Sequence, residues 1–309
     1  MNDVIVLLGC TASGKSDLAE ALARRLSGSL LVCDSMQVYR GMDIGTAKPP
    51  RDIQAQIPHH MLDLVDPWET YSAARFAAEA RPMLEAPRDR PIIIVAGTIL
   101  YLRALMEGLF EGPSADPALR AQLQDEATRL GTPALHAQLA AVDPLAASRI
   151  HSNDLRRIIR ALEVHRLTGT PISELQTQWN RDHPAIPGRY LGIRREKDDL
   201  NRRINLRVKA MLAAGLVDEV RRLRDHPRGL SPEAANAVGY RQLLDHFAGR
   251  CSLDDAIEQI KIQTRHLAKL QRTWLKRFTE THWLDASEGT STATLLAAAL
   301  KKGSDPISP

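Results

Sequence analysis

The chain has 309 residues, 44% of them hydrophobic and 25% charged, which is ordinary for a soluble globular protein and excludes disordered, collagen-like and coiled-coil classes. Lysine and arginine number 41 against 37 acidic residues, so the formal charge of +4 does not by itself demand an anionic partner. No apolar run approaches the ~18 residues of a membrane span, and Val4 to Leu8 is too short for a signal peptide, so a cytoplasmic protein with no membrane partner is expected. Cys10, Cys33 and Cys251 lack paired spacing and read as reduced thiols.

Val4-Ile5-Val6-Leu7-Leu8 is a wholly apolar run ending at Gly9, as suits a strand buried on both faces of a parallel sheet. Leu18, Ala19, Leu22, Ala23 and Leu26 then recur at helical spacing, with Gly28 just past the end. Two further runs, Leu30 to Cys33 and Pro91 to Ala96, stop at Asp34 and at Gly97-Thr98, and the second leads into a helix over Leu100 to Glu107. This alternation predicts an α/β core, a parallel sheet flanked by helices.

From Gly112 the β-branched runs vanish and Ala, Leu, Gln and Arg dominate, which predicts an all-helical insertion domain over 113–188 dividing a core of 1–112 and 189–309. Inside it Ser152 or Asn153 caps a helix that runs to Thr168 and stops at Gly169, and Asp182 to Gly188 reads as the return linker. Tyr190 to Ile193 is a short strand, the remainder reads as mostly helical to Thr281, and Lys301 to Pro309 as a disordered tail.

Gly9-Cys10-Thr11-Ala12-Ser13-Gly14-Lys15-Ser16 fits G-x-x-x-x-G-K-[ST] between a predicted strand and a predicted helix, the context a phosphate-cradling loop requires. Its backbone amides and the helix N-terminus attract phosphate oxygens, Lys15 adds a cation, and the Ser16 hydroxyl is the candidate ligand for Mg²⁺. An ordinary nucleotide triphosphatase also needs an acid at a second strand end, but the apolar strand ending at Ala96 offers Gly97-Thr98 instead. The acid at a strand end is Asp34, either a charged group at the ligand-binding edge of the sheet or merely the cap of a turn.

The predicted helix Asp254 to Phe278 puts Ile257, Ile260, Leu267, Trp274 and Phe278 on one stripe, with Thr264 and Gln271 completing the inward spacing. Lys261, Arg265, Lys269, Arg272 and Lys276 follow another face, with no acid between Gln259 and Phe278, a pattern that favours a polyanion such as RNA over a merely solvated face. Arg156, Arg157, Arg160 and Arg166 repeat the idea in the insertion. His59-His60 lacks the partners of a metal site, and aromatics at 4% leave no extensive base-stacking platform.

Together with the loop Gly9 to Ser16, the blocks DSMQVYRGMDIGTAKP (34–49), PHHMLD (58–63), AGTILY (96–101), NDLRRIIRALEV (153–164), RINLRVKAMLAAGLVDEV (203–220), VGYRQ (238–242) and TRHLAKLQRTW (264–274) resemble, nearly end to end, the bacterial tRNA dimethylallyltransferases, or tRNA isopentenyltransferases. The resemblance implies a P-loop NTPase-like core, a helical insertion that grips the anticodon stem-loop, and transfer of a dimethylallyl group from dimethylallyl diphosphate to N6 of adenosine 37. It further implies that Asp34 is the general base, that Thr98 positions donor or amine, and that residues Gly9 to Ser16 with Arg207 hold the diphosphate alongside Mg²⁺. It assigns tRNA contacts to Asp34, Ser35, Met36 and Gln37 in the target-base pocket, and to Arg156, Arg157, Ile158, Ile159, Arg160, Gly239, Tyr240, Arg241, Lys269, Gln271, Arg272 and Lys276. A monomer is expected, since one core and its own insertion suffice for one stem-loop. The chain departs from the family at Cys10, where proline is usual, at Ala96, where glycine is usual, and at Leu270, where a basic residue is common. A prenyltransferase acting on free adenine nucleotides, a P-loop small-molecule kinase and a non-catalytic RNA-binding module are the competing readings; the kinase leaves the basic helices unexplained, and the binding module leaves the P-loop and Asp34 idle.

Overall fold

A computed structural model describes residues 4–108, 112–176 and 186–302. The chain divides into two compact units, residues 1–106 with 186–309, and residues 107–185. The insertion expected at 113–188 therefore begins and ends a few residues earlier, and the Ile186 N–H donates to the Met106 carbonyl at 3.3 Å, so the chain leaves and re-enters the first unit at one place. Most of the expected return linker, Asp182 to Ala185, lies outside the described residues; the tail expected to be disordered from Lys301 instead starts inside the helix Thr292–Lys302, and its remainder from Gly303 also lies outside them.

The first unit is built on one parallel sheet: β1 (Val4–Gly9), β2 (Ser29–Cys33), β3 (His59–His60), β4 (Ile92–Ala96), β5 (Arg189–Arg195) and β6 (His282–Ala286), in the order β3-β2-β4-β1-β5-β6. Alternation explains why its central strands are wholly apolar. Val4, Val6 and Leu8 of β1, with Ile92 and Ile94 of β4, enter the core on one face, whereas Ile5, Leu7, Ile93 and Val95 enter the core on the other. The helices Lys15–Leu26 and Thr292–Lys302 cover the second face through Leu18, Leu22, Leu295 and Ala299. The helices Ala73–Glu85, Ile99–Met106, Lys197–Ala213 and Leu253–Leu275 supply the first. Neither β6 nor the helix Thr292–Lys302 is predicted from the sequence; β6 is an edge strand whose His282 and Asp285 face solvent and break the apolar pattern. Among the described residues no helix is long and apolar enough to cross a membrane.

The second unit is helical, with Leu123, Leu135, Leu139, Ile158, Leu162 and Val164 in its core. Its helix Leu155–Thr168 is capped by the Asp154 carboxylate, which accepts the Arg157 N–H at 3.2 Å, rather than by Ser152 or Asn153; Gly169 ends it in the left-handed region as expected. Glu163 is fully buried and holds this unit together: its carboxylate accepts from Arg120 at 2.7 and 2.9 Å, from Arg160 at 2.6 Å and from the Asp116 amide at 2.9 Å.

Candidate active site

Parallel strands end at one edge, and that edge gathers the candidate chemistry. β1 lies between β4 and β5 although the chain passes from β1 to β2, which places a topological switch point, the usual ligand crevice, at the C-terminal end of β1. The loop from Gly9 to Ser16 occupies it. Ala12 and Gly14 adopt positive φ of 61° and 95°, folding the loop back on itself so that the helix beginning at Lys15 presents its first-turn amides outward. A cavity of about 240 Å³ opens there, lined by Ala12 to Asp17 and by Arg203, Leu206 and Arg207.

Three arginines brace the loop through their side chains. Arg195 Nε donates to the Ser13 carbonyl at 2.7 Å, Arg203 Nε to the Ala12 carbonyl at 2.8 Å, and Arg207 to the Thr11 hydroxyl at 3.3 Å. Arg195 is itself buried and paired with Asp199 at 2.8 Å. The i, i+4 spacing of Arg203 and Arg207 on the helix Lys197–Ala213 aims both at the same cavity. Burial lowers the pKa of Lys15, with Arg207 adding to the effect and Asp34 opposing it. Burial likewise lowers the Arg207 pKa, with Arg203 adding and Asp17 and Asp34 opposing. Cations crowded together out of water are relieved by a bound polyanion, so the cleft is electrostatically suited to an anionic group.

The loops after β2 and β4 meet beside this cavity, because Cys33 and Ala96 are ladder partners at the ends of those strands. Asp34 caps the turn, as one of its two readings had it, and lies at the edge of the sheet beside the cavity. Its Oδ1 accepts the Met36 amide at 2.8 Å and the Gln37 amide at 3.4 Å, capping the turn, while Oδ2 lies so close over Gly97 that a Cβ built there would sit 2.2 Å away. Gly97 is thus required by close approach, a constraint that arises only when the two strand ends meet. Thr98 Oγ accepts the Ser35 amide at 3.0 Å and donates to the Ser35 hydroxyl at 3.1 Å, locking the two loops together. Gln37 donates to the Thr46 carbonyl at 3.0 Å. A small recess lined in part by Lys15, Ser16, Asp34, Gln37 and Gly97 joins the carboxylate to the phosphate-type loop.

Within Gly9 to Ser16 the expected diphosphate contacts divide. The Thr11 amide is taken by the Gln271 side chain at 2.8 Å and the Ser13 amide by the Cys10 carbonyl at 3.1 Å, so neither points to a ligand. Gly9 ends β1 and Cys10 is buried, which leaves the Ala12 amide, the amides at the start of the helix Lys15–Leu26 and the Lys15 ammonium as the candidate donors at the cavity. Among the described residues no group of three or more His, Cys, Asp or Glu side chains could hold a metal ion. The Ser16 hydroxyl at the cavity is a fitting single protein ligand for Mg²⁺, whose shell would be completed by diphosphate oxygens and water.

The candidate RNA contacts divide too. Arg156, Arg157, Arg241, Lys269, Arg272 and Lys276 are exposed, and Lys269, Arg272 and Lys276 have no acidic partner among the described residues. Ile158 and Ile159 are buried in the core of the second unit, so their side chains are unavailable to RNA, and Arg160 is committed to Glu163 and to the Pro113 carbonyl. Gly239 is buried. Tyr240 is fully buried and donates to Glu219 at 2.5 Å, and that same carboxylate accepts the amides of Asp43, Ile44 and Gly45. Tyr240 and Glu219 hold the loop after Gln37 and do not face RNA. Lys261 pairs with Glu258 and Arg265 bonds Asn205, so the free basic stripe is shorter than its spacing implied. Gln271 is buried, again contrary to an RNA contact.

The family model for IPP transferase matches residues 37–278. A protein from Geobacter sulfurreducens named tRNA dimethylallyltransferase is 45% identical over 286 residues, 91% of each chain. The crystal structure of a tRNA isopentenylpyrophosphate transferase from Bacillus halodurans superposes with a TM-score of 0.71 at 34% identity, covering 98% of this chain and 96% of that one. A eukaryotic dimethylallyltransferase captured acting on tRNA gives a TM-score of 0.76 at 28% identity, covering all of this chain and 81% of the other. Matched in sequence across nine-tenths of its length and in fold throughout, with the loop, carboxylate and arginines gathered at one sheet edge, the chain belongs to the IPP transferase family.

Proposed function

We propose that this chain is a tRNA dimethylallyltransferase, moving the dimethylallyl group of dimethylallyl diphosphate to N6 of adenosine 37 in tRNA and releasing diphosphate. The observation that carries the reading is the pairing of an anion-binding loop with the Asp34 carboxylate, which lies against Gly97 at the edge of the same cleft. A kinase would leave the exposed Lys269, Arg272 and Lys276 without a role, whereas a carboxylate beside a leaving-group cradle suits alkylation of a weakly nucleophilic amine presented by an RNA.

The C1–O bond of the donor breaks and the N6–C1 bond forms, while Asp34 takes the N6 proton and the electron pair of the broken bond leaves on diphosphate. Lys15, Arg207, Arg203 and the first-turn amides stabilise the negative charge that grows on the departing oxygen. Mg²⁺ held by Ser16 and the diphosphate would supply further charge neutralisation. Thr98 fixes the Ser35 loop and with it the direction of the carboxylate. The target adenine has to leave its stack to reach a cleft at the sheet edge, so a flipped base is expected. Lys269, Arg272 and Lys276, with Arg241, are proposed as phosphate contacts in the first unit, and Arg156 and Arg157 in the second. The enzyme is proposed to act as a cytoplasmic monomer.

The test is Asp34→Ala. Turnover falls by about 10² or more while tRNA affinity is retained; near-normal turnover removes the base role from Asp34.

A further inference from the structure

We infer that Gln271 is a positioning residue that fixes the spacing between the diphosphate loop and the loop carrying Thr98; the inference rests on the proposed reaction and deepens it. Gln271 lies on the helix Leu253–Leu275, flanked by exposed Lys269 and Arg272, yet it is only 8% exposed. Its Oε1 accepts the Thr11 amide at 2.8 Å and its Nε2 donates to the Gly97 carbonyl at 2.8 Å. One partner is a donor and the other an acceptor, so the network allows a single orientation of the side-chain amide.

The placement explains what the amide does. β1 and β4 are neighbours whose pairing ends at Leu7 with Val95, and beyond that point the two loops diverge. Gln271 spans the divergence with one acceptor and one donor, in the manner of a peptide group continuing the ladder by one more rung. On one side it fixes Thr11, whose hydroxyl accepts from Arg207. On the other it fixes Gly97, against which Asp34 Oδ2 rests and after which Thr98 holds Ser35. A contiguous path therefore joins the leaving-group half of the cleft to the base half through one side chain. Its polar atoms are consumed inside the protein, so a contribution through RNA contact does not account for it.

Gln271→Met keeps the volume and removes both hydrogen bonds. With tRNA and dimethylallyl diphosphate saturating, kcat is expected to fall about 10- to 100-fold, as for a small displacement of reacting groups, while the tRNA dissociation constant stays within about twofold. Combined with Thr98→Ala it adds little further loss, because both act through the same loop. Gln271→Glu keeps the acceptor for Thr11 and loses the donor to Gly97, so in the ligand-free protein it preserves slow amide exchange at Thr11, which Gln271→Met accelerates, yet it does not restore kcat. Unchanged kcat in Gln271→Met, or a kcat loss matched by an equal loss of tRNA affinity, overturns the inference. Should the unmodified enzyme label no tRNA, the proposed reaction fails separately, and amide exchange at Thr11 still decides: acceleration in Gln271→Met supports the bridge, and no change overturns it.

Discussion

Gly97→Ala isolates the placement of the general base from its chemistry, because it leaves Asp34 present and displaces it. A Cβ at position 97 would lie 2.2 Å from Asp34 Oδ2, 3.0 Å from Cγ and 3.3 Å from Cβ, so the clash falls on the reactive oxygen. The carboxylate cannot swing away without strain, since Oδ1 is bound to the Met36 amide at 2.8 Å. Restoring ordinary contact requires a shift of about 1 Å, and a misplacement of that size costs on the order of 10²-fold in rate, or about 2.7 kcal/mol of transition-state stabilisation. Overpacking costs about 1–3 kcal/mol of stability, which leaves the protein folded. The assay is single-turnover prenylation with saturating donor, alongside a gel-shift measurement of tRNA affinity. The loss should appear in the chemical step with affinity unchanged, and Gly97→Ala should add nothing in an Asp34→Ala background, where no carboxylate remains to displace. A Gly97→Ala rate within about threefold of the unmodified enzyme would refute the placement.

Glu163→Gln removes the buried charge that Arg120 and Arg160 share and should destabilise the protein at the low end of about 3–5 kcal/mol, because both arginines keep some solvent. Burial alone would raise the Glu163 pKa, but the hydrogen bonds from Arg120 and Arg160 outweigh it and the net shift is downward. A carboxylate shifted that way contributes stability above its ordinary value of about 4.3 and loses it as pH falls through its lower folded value, so urea midpoints of the two proteins should converge in that acid range and stay apart at neutral pH. Replacing both Lys269 and Arg272 by glutamine should weaken tRNA binding and reduce the slope of log K against log salt by about 1.5, since each lost phosphate contact removes about 0.7–0.9; an unchanged slope would place them off the RNA.

The phosphate-type loop was legible because its residues are consecutive and its geometry local: strand, glycine turn and helix start within one stretch of chain. Asp34 was legible as an acid at a strand end, but its dependence on Gly97 arises across the sheet, from two segments distant in sequence. The stripe on the helix Leu253–Leu275 shows how size misleads. Leu267 was expected inside, yet the buried line is Ala256, Ile260, Ala268, Gln271 and Leu275, where small alanines allow close packing, while Ile262, Leu267 and Leu270 remain exposed. The spacing did place Gln271 inward, whereas the family resemblance alone had assigned it to RNA. Tyr240, Ile158 and Ile159 fall within blocks that resemble RNA-contacting segments, and only their burial separates the residues that shape such a segment from those on its surface. Glu163 with Arg160 reads as an ordinary i, i+3 pair on a helix surface; its burial was invisible because it depends on Arg120 and the Asp116 amide, more than forty residues away. Of the three departures from the family, Cys10 and Ala96 are buried in the core and Leu270 is exposed, so none removes a group from the cleft.

The most direct measurement is incubation of the purified protein with radiolabelled dimethylallyl diphosphate, Mg²⁺ and unmodified tRNA whose anticodon ends in adenosine, followed by digestion to nucleosides. The account predicts label in N6-(dimethylallyl)adenosine derived from tRNA. Label confined to free adenine nucleotides, or no label with ATP consumed alongside a small metabolite, would contradict it.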